Sequence, residues 1–198
     1  MTKIGGIVLA GGSSRRFNGD KRLATLADGA TLLARSVANA AAQLPAVIVA
    51  LRSGEEELAA SITGTNVSAV CASDSALGMA HTMAAAFASI PADWDGAMVL
   101  LADMPFIRPT TYRTLTKAFR DATSPDAIII PAYNGSPGHP VTFAKMWFSE
   151  IRGLRGDEGA RSIVKAHQEA VARVVVDDPA VLQDIDTQAA LSAARAPC

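Results

Sequence analysis

Short runs of apolar residues alternate along the chain with longer segments in which apolar positions recur every three or four residues. The short runs are typical of buried strands, and the recurrence is typical of helices that bury one face. The short runs predict strands at Ile4–Leu9, Ala46–Leu51, Val67–Cys71, Ala97–Leu101, Ala127–Ile130, Val141–Phe143 and Val171–Val176. The recurrence predicts helices at Thr31–Leu44, Glu55–Ile62, Met79–Ile90, Pro109–Ala122, Lys145–Arg152, from Gly159 to His167, and from Thr187 onward.

This alternation predicts the fold class. Strands that alternate with helices favour a mostly parallel sheet covered on both faces, because parallel neighbours need a long crossover connection. We therefore expect a doubly wound, Rossmann-like α/β fold in one domain that spans residues 1–198. The turn-rich loop Tyr133–Pro140 interrupts the pattern, and its two prolines exclude a central strand there. We expect this loop to run over the sheet as an extended excursion.

The first predicted strand leads into a glycine-rich, cationic loop. Gly11 and Gly12 end the apolar run, and two serines, two arginines and Lys21 follow within ten residues. Glycine lets the backbone approach phosphate oxygens closely, and exposed N–H groups and cations neutralise their charge. The loop therefore favours triphosphate binding, with Lys21 as an exposed cation. A plain tight turn is the alternative, but it leaves the cations unexplained.

The opening loop does not match two familiar phosphate-binding motifs. The loop lacks the Gly-Lys-Ser/Thr ending of a Walker A motif and the G-x-G-x-x-G spacing of a dinucleotide site. A dinucleotide oxidoreductase is therefore not favoured.

A carboxylate follows the most apolar of the predicted strands. Asp103 comes just after Leu101, and Pro105 stops the strand from continuing. Ligands of open parallel sheets bind beyond the carboxyl ends of the strands, so Asp103 would face the phosphate loop from an adjacent strand. Its simplest role there is to hold Mg²⁺, which favours one or two carboxylates plus phosphate oxygens. The alternative is that Asp103 caps the next helix or satisfies the local backbone.

Two further carboxylates precede the last predicted helix. Asp184 and Asp186 flank Ile185, and Thr187 follows directly. Asp186 is a candidate second metal ligand, although Asp186-Thr187 is an equally good helix start.

Two glycine-hinged loops with polar tips suit recognition of a second substrate. They are Gly138-His139-Pro140 and the segment from Gly156 to Arg161. Ordinary surface loops of this composition are the alternative. No serine or cysteine has an evident histidine and acid partner, so a hydrolytic triad is not supported.

Composition narrows the class of protein. The formal net charge is −1, which argues against nucleic acid as a partner because such binders need a basic face. No apolar run approaches the roughly 20 residues of a membrane span. The start of the sequence lacks signal-peptide architecture, so we expect a cytoplasmic protein. Cys71 and Cys198 have the spacing of neither a disulfide framework nor a metal site.

With these residues in view, the chain resembles the MobA-like nucleotidylyltransferase superfamily, which includes the molybdenum-cofactor cytidylyl- and guanylyltransferases. Leu9 through Lys21 is similar, without a gap, to the family opening L-A-[AG]-G-x-S-x-R-M-G-x-x-K. The resemblance covers nearly the whole chain and is closest to the cytidylyltransferase branch. Its later motifs are Asp103-Met104-Pro105, Gly78-Met79, Gly138-His139-Pro140, Gly156–Arg161 and Asp184–Thr187.

The resemblance implies the reaction and the role of each site residue. The enzyme would transfer a nucleoside monophosphate from an NTP, with CTP ahead of GTP, to a phosphate acceptor, with molybdopterin favoured, and would release pyrophosphate. Mg²⁺ on Asp103 and Asp186 would bridge the phosphates, and a transient contact with a molybdoenzyme or its chaperone would deliver the product. Three residues have catalytic roles: Arg16, Lys21 and Asp103. The remaining roles are nucleotide binding for Leu9, Ala10, Gly11, Gly12, Ser13 and Gly78, and acceptor binding for His139, Asp157 and Arg161.

Two alternatives stay open at this point. The acceptor could be another phosphorylated molecule, such as a sugar phosphate or an alcohol phosphate. Phe17, Asn18 and His81 depart from the family pattern, which leaves room for a domain that binds nucleotide without turnover.

Overall fold

A central sheet organises the molecule. The structure, a computed structural model, describes residues 2–12, 17, 19–62, 64–156 and 159–195, without the side chains of residues 194 and 195. The strands are β1 (Ile4–Leu9), β2 (Val47–Arg52), β3 (Val67–Ala72), β4 (Gly96–Leu101), β5 (Ile128–Tyr133), β6 (Ser136–Pro137), β7 (Val141–Ala144) and β8 (Val171–Val175). Their order is β3-β2-β1-β4-β7-β5-β6, and β8 pairs with β5.

Helices connect most of these strands. They are α1 (Leu32–Gln43), α2 (Glu56–Ile62), α3 (Met79–Ala88), α4 (Pro109–Asp121), α5 (Phe148–Arg152), α6 (Arg161–Ala166) and α7 (Gln188–Arg195). Local chemistry sets where two of them begin. The Thr31 hydroxyl accepts a hydrogen bond of 3.1 Å from the Ala34 N–H and so caps α1. Pro109 is the first residue of α4, where its fixed φ suits the helix and no N–H is needed.

The parallel part of the sheet sets the position of the site. β1 lies between β2 and β4, parallel to both, and β3 continues the parallel arrangement beyond β2. Leu9 pairs with Ala50 on one side and with Leu101 on the other, so three strands end at the same edge. The prediction of a mostly parallel α/β sheet is confirmed.

The strands of the parallel part of the sheet form the centre of the core. β1 and the first five residues of β2 and β4 are buried, because helices or loops cover both faces of the sheet. Each fully buried Leu, Ile or Val contributes roughly 1.5–3 kcal/mol. This burial fixes the strand ends from which the site residues project.

Other details differ from the sequence prediction. β7 runs antiparallel between β4 and β5, an insertion that the alternation of strands and helices does not reveal. The predicted helix at residues 145–152 begins as a 3₁₀ turn at Lys145–Trp147 and becomes α-helical only in α5. Within the loop of two prolines, Ser136–Pro137 forms a short strand against β5 at the margin of the sheet. In the described part of the chain, none of the helices is long and apolar enough to cross a membrane.

Candidate functional site

A cleft of about 800 Å³ opens at the edge of the sheet where β1, β2 and β4 end. It contains residues from both ends of the chain, because the opening loop and the segment before α7 meet there. The residues predicted from the sequence that line this cleft are Leu9, Ala10, Gly11, Gly12, Lys21, Gly78, Asp103 and Asp186.

Lys21 connects the opening loop to two carboxylates. Its ammonium donates hydrogen bonds of 2.5 Å to Asp103 Oδ2 and of 2.5 Å to Asp186 Oδ1. Burial alone would lower the pKa of Lys21, but the two carboxylates outweigh burial and raise it, so the side chain stays charged. The lysine side chain is only 13% exposed, which corrects the expectation of an exposed loop cation.

Backbone contacts fix the position of Asp103. The N–H of Ala102 donates to Leu9 O at 3.1 Å, and Asp103 O accepts from the N–H of Ile185 at 3.0 Å. The helix-capping alternative receives no support from α4. The N–H of Arg108 at the start of that helix donates instead to Asp178 Oδ2 at 2.9 Å.

The segment that carries Asp184 and Asp186 is anchored by its middle residue. Ile185 is buried in a small apolar cluster formed with Phe17, Leu26, Leu32 and Leu191. This cluster also explains how phenylalanine fits at position 17, where it is 2% exposed. The Thr187 hydroxyl accepts from the Ala190 N–H at 3.1 Å, so Thr187 caps α7.

The donor set fits a divalent cation. Asp103, Asp184 and Asp186 can each present one oxygen such that the three oxygens lie within 4.8 Å of one another. Asp103 Oδ1 is buried and has no hydrogen-bond partner among the described residues, so it keeps a lone pair for a cation. Hard carboxylate oxygens are the ligands that Mg²⁺ and Mn²⁺ prefer.

The backbone of Gly11 and Gly12, which we call the glycine turn, is the second element of the site. Ala10 N–H donates to Ala50 O at 2.9 Å, which continues the sheet. Within the described residues, the N–H groups of Gly11 and Gly12 have no acceptor, so they are available to an anion in the cleft. Gly11 also packs closely on α3: a Cβ at this position would lie 2.4 Å from Thr82 Oγ1, whereas one on Gly12 would meet only Met79 Cε at 3.7 Å.

This packing predicts different stabilities for two matched variants. Gly11→Ala should lower the free energy of unfolding by about 1–3 kcal/mol, because the buried Thr82 side chain cannot move away from the added methyl group. Gly12→Ala should change it by less than about 0.5 kcal/mol. Urea unfolding measures both, and the double variant Gly11→Ala/Thr82→Ala should recover part of the loss. Equal stability of the two single variants would contradict the close packing.

Sequence reasoning missed a group of charged residues in the same cleft. Arg22 and Arg52 line it, and Glu55 accepts hydrogen bonds from the Arg22 side chain and from the Arg52 backbone N–H. Arg52 is the residue at which the apolar run of β2 stops, which is the same signal that identified Asp103. Serine side chains that also line the cleft were not predicted either; they are Ser53, Ser73 and Ser75.

The structure places His139 beside the acidic cluster. Burial lowers the pKa of the imidazole, although Asp103, the Val99 backbone and Asp184 oppose that shift. Nδ1 is buried and has no hydrogen-bond partner among the described residues. Gly138 lets this loop pass close to the chain, since a Cβ there would lie 2.1 Å from Val181 O. The charges of Asp103 and Asp184 therefore act on the imidazole, but His139 is not among the described residues that line the cleft.

The remaining predicted residues are not part of the described cleft. Arg161 is exposed at the start of α6 and does not line it. The neighbouring loop does approach the site, because Gly156 O accepts from the Ala80 N–H of α3 at 3.1 Å. Ser13, Arg16 and Asp157 lie outside the described residues, as does Asn18.

Comparison with solved structures finds the same fold along the whole chain. Rv0371c from Mycobacterium tuberculosis H37Rv superposes with a TM-score of 0.82 at 25% identity, and the match covers 98% of each chain. A structure of Rv0371C in complex with manganese superposes with a TM-score of 0.79 at 25% identity, again over 98% of each chain.

Sequence comparison gives a relative and a family. The purine catabolism protein PucB of Bacillus subtilis (strain 168) is 33% identical over 94 residues, which are 47% of this chain and 43% of PucB. The chain thus spans less than half the length of this curated relative. Residues 6–171 match the family described as the MobA-like NTP transferase domain. Since that match covers most of the 198 residues, the chain belongs to the MobA-like NTP transferase family.

Proposed function

We propose that this chain transfers a nucleoside monophosphate from an NTP to a phosphate-bearing small molecule and releases pyrophosphate. One observation carries the proposal. A single cleft is lined by Gly11 and Gly12, whose N–H groups have no acceptor among the described residues, by the cation Lys21 and by the carboxylates Asp103 and Asp186. Asp184 completes the carboxylate cluster next to them. Such a set suits a metal-bound triphosphate, because fixed N–H groups and cations bind the phosphate oxygens and carboxylates hold the metal.

The reaction needs no protein nucleophile. An oxygen of the acceptor phosphate forms the new bond to the α-phosphorus, the bond from that phosphorus to the bridging oxygen of the β-phosphate breaks, and pyrophosphate leaves with the electron pair. The attacking oxygen is already anionic, so the protein has no proton to remove. Its work is to position the two phosphates and to neutralise their charge.

The described residues divide this work between them. The N–H groups of Gly11 and Gly12 would donate hydrogen bonds to the phosphates. The Lys21 ammonium would exchange its contacts with the carboxylates for contacts with the triphosphate. Asp103, Asp184 and Asp186 would hold a divalent cation, which would supply electrostatic stabilisation of the charge that develops on the phosphates. The manganese found in the complex of the related Rv0371C supports a divalent cation here.

The base and the acceptor are part of the proposal. From the sequence resemblance we propose CTP, ahead of GTP, as the nucleotide and molybdopterin as the acceptor. The name of PucB, a purine catabolism protein, points to no particular acceptor, so sugar phosphates and alcohol phosphates belong in the same assay.

Nucleotide binding is the first test. A ligand that binds only the folded state stabilises it by about 2.7 kcal/mol at 100 times its Kd. We expect CTP or GTP with Mg²⁺ to raise the melting temperature by several degrees, and ATP or UTP to raise it less. Failure of all four nucleotides to shift the melting temperature would contradict the proposal.

Pyrophosphate release in the presence of a reduced pterin phosphate separates turnover from binding. Release that depends on the acceptor supports the transferase. A thermal shift without release from any acceptor in the panel would instead identify a domain that binds nucleotide without turnover.

A further inference from the structure

An almost fully buried guanidinium lies beneath the glycine turn. Arg22 belongs to the 3₁₀ turn Lys21–Leu23, and its side chain is 3% exposed. Its Nε donates to Asp20 Oδ1 at 2.9 Å, and Nη1 donates to Glu55 Oε2 at 2.8 Å and to Ala10 O at 2.6 Å. Nη2 donates to Asp20 Oδ2 at 2.5 Å and to Glu55 Oε1. All N–H donors of the guanidinium therefore have acceptors.

A second guanidinium continues this arrangement. The Arg52 N–H donates to Glu55 Oε2 at 2.9 Å, so one carboxylate holds both arginines. The Arg52 side chain donates from Nε to Gly11 O at 3.3 Å and from Nη2 to Gly12 O. The carbonyls of three consecutive residues, Ala10, Gly11 and Gly12, are thus held by two guanidiniums. Glu55 joins the two arginines, through the Arg22 side chain and the Arg52 backbone N–H. We call Arg22, Glu55 and Arg52 the arginine brace.

The brace orients a turn that lines the cleft and whose N–H groups have no acceptor among the described residues. Fixing the carbonyl oxygens of Ala10 and Gly11 also fixes the N–H groups of Gly11 and Gly12, because each carbonyl shares a rigid peptide plane with the N–H of the next residue. Groups that bind the charge of a phosphate are most effective when they need not reorganise on binding. A held turn therefore binds a triphosphate more tightly than a mobile one would.

The brace also cancels negative charge that would repel a triphosphate. Hydrogen bonding to Arg22 lowers the pKa of Asp20, although burial opposes it. Burial raises the pKa of Glu55, but the hydrogen bonds from Arg22 and Arg52 outweigh burial and lower it. Both carboxylates are consequently anionic at neutral pH. Without Arg22 they would place uncompensated negative charge behind the phosphate site.

Stability alone does not account for such a network. Buried ion networks lose much of their attraction to desolvation, and apolar residues of similar volume often stabilise a fold equally well. This network differs because its guanidinium N–H groups donate to backbone carbonyls of the turn proposed to bind the phosphates.

We propose that the arginine brace, and Arg22 above all, acts as a set of positioning residues that hold the Ala10–Gly12 backbone in the form that binds the triphosphate. This inference rests on the proposed function, since it assigns the triphosphate to that turn.

The test compares binding with stability in matched variants. Arg22→Lys keeps the charge but loses the planar fork of donors, and Glu55→Gln keeps the shape but loses the charge that joins the two arginines. Leu115→Ala is the control, because Leu115 is a fully buried core residue of α4 that does not line the cleft. The probes are CTP with Mg²⁺ and inorganic tripolyphosphate, titrated calorimetrically at a temperature where circular dichroism shows every variant folded.

We expect Arg22→Lys and Glu55→Gln to weaken binding of both probes by about tenfold or more, since each breaks charged hydrogen bonds that hold the turn. In turnover assays the loss should appear mainly as a raised KM, with kcat changed less. Leu115→Ala should lower the melting temperature at least as much, yet leave both Kd values within about twofold.

Three results separate the outcomes. If the wild type binds both probes and the brace variants bind them equally well, the positioning role is wrong, although the proposed function stands. If Leu115→Ala weakens binding as much as Arg22→Lys does, the effect is general destabilisation and the inference is overturned. If the wild type binds neither probe, the proposed function itself fails. Arg52→Lys replaces Arg22→Lys should the latter not fold, with the same expectation.

Discussion

Replacing Asp103 by asparagine is expected to lower the rate of pyrophosphate release by about two orders of magnitude or more, because the neutral amide holds a divalent cation poorly. Asparagine keeps the shape of the side chain, and the backbone contacts of residue 103 with Ile185 do not depend on it. The variant should therefore fold, and it should still bind nucleotide through the glycine turn. Stopped assays across a range of Mg²⁺ and Mn²⁺ concentrations measure the effect.

Two comparisons sharpen this prediction. Asp184→Asn should reduce turnover less, because Asp184 is exposed and does not line the cleft, whereas Asp103 does. Asp121→Asn removes a carboxylate that pairs with Lys117 on the exposed surface of α4, and it should have no effect on turnover. If raising Mg²⁺ or substituting Mn²⁺ restores part of the rate of Asp103→Asn, weakened metal binding is the cause. Normal turnover at limiting Mg²⁺ would show that Asp103 is not a metal ligand.

Replacing Lys21 by methionine is expected to change nucleotide and metal binding in opposite directions. The ammonium now neutralises Asp103 and Asp186 at 2.5 Å from each. Without it the carboxylates should bind Mn²⁺ more tightly in the absence of nucleotide, while the Kd for NTP should rise about tenfold or more through loss of a charged contact. Calorimetric titration with Mn²⁺ and with NTP measures the two effects.

The same variant should lose stability, which an exposed lysine would not cause. Leaving the largely buried Asp103 carboxylate without its Lys21 donor costs about 1–3 kcal/mol. Added Mg²⁺ should restore part of that loss, because the metal supplies the missing positive charge. Lys117→Met, taken from the exposed pair on α4, is the matched control and should melt like the wild type. A Lys21→Met protein with unchanged Mn²⁺ affinity would mean that the lysine does not compete with the metal.

The sequence predicted those parts of the site that depend on strand ends. The glycine turn follows β1 and Asp103 follows β4, and the two strands pair directly, with Leu9 opposite Leu101. A polar residue at the end of an apolar run is therefore informative in a parallel sheet, because neighbouring strands end at one edge. The same rule would have identified Arg52 at the end of β2.

Contacts between distant segments could not be predicted in this way. Lys21 meets Asp186 across 165 positions of sequence, and Arg22 meets Glu55 across 33. Neither pair has a local pattern, since each depends on how the segments that follow the strands fold back over the sheet edge. Lys21 was therefore expected to be exposed. The antiparallel insertion of β7 was missed for a similar reason, because its pairing with β4 depends on tertiary structure.

Transfer of a label from the α-phosphorus of the NTP to an acceptor tests the central claim most directly. With Mg²⁺ and CTP or GTP labelled at that phosphorus, the wild-type protein should produce a labelled acceptor and one pyrophosphate for each transfer. Asp103→Asn should produce both about a hundredfold or more slowly, while Asp121→Asn should match the wild type. Label that stays in the nucleotide with every pterin, sugar and alcohol phosphate offered, or an equal yield from wild type and Asp103→Asn, would contradict the account.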